Sequence, residues 1–183
     1  MKTKIYAVLF LLLIQFTVVF PQTRQLDAVK KESTITYQLT HPLHEIESTS
    51  KDAYCTIEID SGKKEIKKVT VQVDVTTFDS GNSSRDSHAM EVIDALSFPD
   101  SKFESSSIQQ KGDSLKISGK LTFHGVTKDI IISAAAKWST NKLVVEGHFD
   151  ISLTAFNVER PSLLLIPVKD DLKFTLKQVF NLM

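Results

Sequence analysis

The chain has 183 residues, 42% of them apolar, and 22 basic residues balance 22 acidic ones. That length and apolar share suit one domain with a real core. Charges of both signs are scattered along the chain, which leaves nucleic acid out as a partner.

Residues 1–23 open on MKTK and continue as an apolar run, Ile5 to Phe20, broken only by Gln15 and Thr17. A charged start followed by such a run has the form of a secretory signal peptide. The run is short of the about 20 apolar residues that a spanning helix needs. The stretch after Phe20, PQTRQ, offers no small-x-small cleavage triplet. The segment is therefore expected either to be cut near residues 22–24 or to stay as an uncleaved anchor. Without it, 20 basic residues face 22 acidic ones, a net charge of −2. No second hydrophobic run follows, so the mature form is expected to be soluble, with no stable transmembrane domain, and exported to the periplasm or secreted.

Residues 24–32 (RQLDAVKKE) read as a polar lead-in, and 33–182 as the folded domain. Eight strand signals then follow at short spacing: 34–41, 53–59, 66–78, 102–110, 114–124, 129–138, 143–156 and 171–180. Each alternates apolar with polar residues, as in Val69-Val71-Val73 against Lys68, Thr70, Gln72 and Asp74. The class is all-β, an antiparallel sandwich or barrel. Ile130-Ile131-Ile132 and Val144-Val145 are apolar on both faces and call for a cover.

Only SGNSSRDSHAMEVIDALSFPD, residues 80–100, interrupts the pattern. The spacing predicts one short amphipathic helix over about 84–97. Ser83 and Asp86 form a capping box, Ala89, Val92, Ile93 and Leu96 make an apolar stripe, and Pro99 ends the helix. So short a helix must dock on the sheet to be stable.

The chemistry-bearing residues are few. Cys55 is the one cysteine, so no internal disulfide forms, and its place in AYCTIEI reads as a small buried hydrophobe. His41 and His44 in HPLH, with His88, have a spacing that can chelate, but no cysteine or acidic pair completes a closed site. His124 precedes Gly125 and reads as a turn stabiliser. Asp86, Ser87 and His88 are neighbours in sequence and do not converge as a triad, and no nucleophile elbow occurs. Asp170-Asp171 read as solvated. The sequence is not that of an enzyme.

RDSHAM, FPDSKFES and GDSLKISGKLTFHGVTKDIIIS resemble the YceI-like family of exported lipid-binding proteins, with LTFHGVT the most specific string. The resemblance runs from about Ser33 to Phe180. It implies an eight-stranded antiparallel barrel of lipocalin-like shape, with a long apolar cavity for an isoprenoid or other long hydrocarbon chain. Ala89 departs from the family's leucine, and NVERPSLLLIPVKDD departs in its apolar run Leu163-Leu164-Leu165-Ile166.

In such a barrel, parity turns Tyr37, Leu39, Val71, Val73, Ile117, Leu121, Phe123, Ile132, Ala134, Phe149, Ile151 and Phe174 inward as the tunnel lining. Ala134, Ala136, Gly119 and Gly147 then remove volume from the interior. Arg85, His88 and His44 are candidates for the rim or a headgroup contact. Each buried methylene contributes about 0.8 kcal/mol against an association cost of about 4–15 kcal/mol, so chains of about twenty carbons or more are favoured. The expected partner is a polyisoprenoid, quinone-like or fatty-acid-derived amphiphile, carried or sequestered without a cofactor or metal. The competing use is a barrel filled by its own side chains, forming a homodimer or binding a partner through Ile131, Val144 and residues 163–166; a third is divalent-metal binding through His41, His44 and His88.

Overall fold

The computed structural model describes residues 23–163 and 165–183. The signal segment expected over 1–23 therefore lies outside the described residues, save for Thr23. The chain runs β1 (Thr23–Asp27), β2 (Thr34–His41), β3 (His44–Ser50), β4 (Tyr54–Asp60), β5 (Glu65–Asp74) and α1 (Ser83–Val92). It continues through β6 (Asp100–Lys111), β7 (Ser114–Phe123), β8 (Val126–Trp138), β9 (Lys142–Ser152), β10 (Ser162–Leu163), β11 (Ile166–Pro167) and β12 (Asp171–Asn181). No helix among the described residues is long and apolar enough to cross a membrane.

Ten strands form one antiparallel sheet in the order β1-β4-β5-β6-β7-β8-β9-β12-β2-β3, and β10 and β11 make a separate hairpin. The sheet curls back on itself. Just past β1, Ala28 N–H donates to Cys55 O on β4 (2.8 Å), and Val29 N–H donates to Val179 O on β12 (2.7 Å). Those two strands lie far apart in the sheet order, so one segment reaches both only in a barrel. At the other edge, Thr49 of β3 and Asp79 exchange both backbone hydrogen bonds (3.0 and 3.1 Å).

Period-2 alternation supplies the inside. On β7, Leu115, Ile117, Leu121 and Phe123 are buried while Lys116 and Lys120 are exposed, as expected of a sheet with one covered face. Register shifts at Glu58/Ile59 and Ser105/Ser107 bend the wall. One end of the interior is packed solid: Ile59, Leu115, Ala136 and Leu143 are all buried there.

The barrel therefore has ten strands where eight are expected. The polar lead-in 24–32 contributes most of β1, of which only Leu26 is buried, and HEIESTS forms β3. Both escape periodicity for the same reason: they are edge strands with few inward apolar residues. The helix is shorter than 84–97. It ends at Val92 because Asp94 takes a left-handed conformation (φ 45°), and Pro99 lies well beyond. Asn82, not Ser83, caps it, accepting from Arg85 N–H at 3.1 Å. Leu96, counted in the apolar stripe, is wholly exposed.

Gly119 and Gly147 do not open the interior. A Cβ at Gly119 would meet Glu104 O at 2.4 Å and the Phe103 ring at 2.5 Å; one at Gly147 would meet Ala134 Cβ at 2.9 Å. Both glycines let neighbouring strands approach closely.

Candidate functional site

Above the packed end the barrel holds a cavity of about 590 Å³, within the range of small-molecule sites. The interior is therefore not filled by its own side chains. Tyr37, Leu39, Val71, Val73, Ile117, Leu121, Phe123, Ile132, Ala134, Phe149, Ile151 and Phe174 all border the cavity. On adjacent strands β9 and β12, Phe149 and Phe174 are directly paired, and their rings stack at 4.8 Å and 7°. Tyr37 packs between Phe174 (6.4 Å) and Phe78 (5.3 Å). Burial pushes the Tyr37 phenol above its ordinary pKa, and nearby Asp86 adds to this.

Arg85, His88 and His44 also border the cavity. Arg85 donates from Nε to Ser80 Oγ (2.9 Å) and from Nη2 to Ser80 O (2.8 Å). Asp86 accepts from Ser80 N–H (3.2 Å). Both residues of the polar interruption thus hold the turn that starts α1. His88 is exposed, 3.7 Å from Glu91. Met90, Val92 and Ile93 of α1 and its C-terminal turn face the cavity, so the helix lies at the barrel mouth rather than on the outer wall. Ile131 on that wall is exposed.

The end of the helical segment is anchored on a two-residue β7–β8 turn. His124 (φ 48°) and Gly125 (φ 70°) are both left-handed, the geometry of a type I′ hairpin. The Phe98 ring lies 4.7 Å from that of His124 and so close over Gly125 that a Cβ would meet it at 2.6 Å. His124 donates from Nδ1 to Phe156 O (3.0 Å), which makes it the turn stabiliser the sequence suggests.

His41 is buried with both ring nitrogens engaged. Nδ1 accepts from Leu43 N–H (3.2 Å) and Nε2 donates to Ile166 O (3.0 Å). This neutral tautomer ties the β2–β3 hairpin to β11 and has no lone pair left for a metal. Among the described residues, no three His, Cys, Asp or Glu side chains come together in a way that would hold an ion. Cys55 borders the cavity, and burial pushes its thiol up to about 12, which leaves it protonated and inert. Asp170 is not simply solvated: it accepts from Ser152 Oγ (2.5 Å) and Thr154 N–H (2.9 Å), and these bonds hold its carboxyl below the usual range.

Sequence reasoning missed two lining positions of note. Ile46 lies on the unrecognised β3. Gln178 breaks the inward apolar row Leu172, Phe174, Leu176, Phe180 of β12, a break that is visible in DLKFTLKQVF.

The sequence model of the YceI-like domain matches residues 25–180. The chain belongs to the YceI-like family. Protein YceI of Salmonella newport (strain SL254) is 27% identical over 143 residues, 73% of this chain and 75% of that protein. Among solved structures, BcnA of Burkholderia cenocepacia has a TM-score of 0.76 at 21% identity, covering 84% of this chain and 99% of BcnA. A polyisoprenoid binding domain from Saccharophagus degradans, implicated in plant cell wall breakdown, has a TM-score of 0.63 at 10% identity, covering 86% and 97%. These YceI-like and related barrels share this chain's fold.

Proposed function

We propose that this YceI-like protein is an exported carrier that sequesters one long-chain amphiphile, a polyisoprenoid, quinone-like or fatty-acid-derived molecule, in its barrel. The observation that carries the reading is the cavity of about 590 Å³, walled almost entirely by apolar and aromatic side chains. An apolar wall facing a void gains nothing from water, and a hydrocarbon chain placed there exchanges water for apolar contact. The fold shared with a polyisoprenoid binding domain supports this class of ligand. The mechanism is passive: burial supplies affinity, α1 covers the mouth, and no bond is made or broken. Arg85, His44 and His88 border the cavity.

The test is to express the full chain in a bacterium, purify it without detergent, and weigh it by native mass spectrometry before and after organic extraction. A stoichiometric adduct that extracts as a long-chain species is expected. An apo mass that takes up no added isoprenoid or fatty acid would sink the reading.

A further inference from the structure

Of the buried side-chain polar atoms without a hydrogen-bond partner among the described residues (Ser48 Oγ, Trp138 Nε1 and Gln178 Oε1), only that of Gln178 belongs to a residue lining the cavity. Gln178 is 4% exposed. Its Nε2 donates to Thr34 O at 3.3 Å. A carbonyl only accepts, so this bond fixes the amide's orientation and leaves Oε1 as the free acceptor. The residue sits on the inward row of β12, four positions past Phe174, about 13 Å further along the strand. Its neighbours in that row, Leu176 and Phe180, are apolar. A buried acceptor without a donor is costly, and an apolar residue here would have completed the wall.

We infer that Gln178 is a recognition site for a hydrogen-bond donor on the ligand, a neutral hydroxyl lodged inside the barrel, which makes the cargo a long-chain alcohol. The inference rests on the carrier reading above and narrows its ligand class. Neutrality follows from the partner: an amide oxygen has no charge to offset a buried ammonium, and it repels a carboxylate or phosphate. Arg85, by contrast, belongs to the α1 turn that it holds through Ser80.

The experiment offers the full chain an equimolar mixture of 1-eicosanol and 1-fluoroeicosane, which match in length and differ by the donor, and reads occupancy by native mass spectrometry. Wild type is expected to favour the alcohol about tenfold, and Gln178→Leu to take the two nearly equally. Equal uptake by wild type would overturn the assignment, water then serving Oε1, and would leave the carrier reading standing. Uptake of neither probe would overturn both. A preference that survives in Gln178→Leu would place the recognition elsewhere and also overturn the assignment.

Discussion

Two of the cross-strand pairs between β9 and β12 are Leu143 with Phe180 and Phe149 with Phe174. They share the same two strands and the same inward parity, yet only the first pair is sealed. Leu143 and Phe180 have no exposed surface, although Phe180 also borders the cavity, while Phe149 and Phe174 are half-buried and stack against the cavity. What differs is the surroundings: Leu143 pairs with Trp138 on β8 and joins Leu115 and Ala136 in the buried core, whereas Phe149 borders the cavity. Alternation decides which side chains point inward; it does not decide whether anything meets them there.

Substitutions break this comparison in a predictable order. Leu143→Ala at the sealed pair is expected to cost about 2–5 kcal/mol, because the site is packed on every side, measurable by chemical denaturation. Phe174→Ala is expected to cost less than half as much while lowering uptake of long-chain probes; a larger loss than Leu143→Ala would mean that the cavity wall is itself core. Ala134→Phe projects a ring into the void. It is expected to reduce ligand uptake at least tenfold with the circular dichroism spectrum unchanged, and full uptake would misplace the binding volume.

Cys55 tests the boundary between the two regions, since it is sealed yet borders the cavity. Its folded pKa is raised from 9.0 to about 12, so the unfolded state loses the proton first. The contribution is complete below pH 9 and declines between 9 and 12, by up to about 1.4 kcal/mol per pH unit. Denaturation at pH 8 and pH 10 should show this slope, and Cys55→Val should lack it. The smallest effect is expected at the lid: Asn82→Ala removes the α1 cap and costs about 1 kcal/mol, seen as faster amide exchange over residues 83–92.

Much of this was legible before any coordinates. The inward residues follow from parity, because a strand's side chains alternate faces whatever surrounds it. The inert cysteine follows from its place in an apolar alternation, and the hairpin at His124-Gly125 from turn chemistry. β1 and β3 were not legible, since an edge strand with one buried face needs few apolar residues. The helix end is not legible either: Pro99 is a strong local signal, whereas the stop comes from Asp94 adopting a left-handed turn that delivers Phe98 onto Gly125.

The sequence by itself determined an all-β chain, its inward face and its one helical interruption, because these depend on contacts between near neighbours. Only the tertiary structure decided that the glycines serve close strand approach, that His41 spends both nitrogens on backbone, and that Gln178 faces a void. Each of those depends on residues distant in the chain, and a curled sheet brings them together at distances that no local pattern encodes.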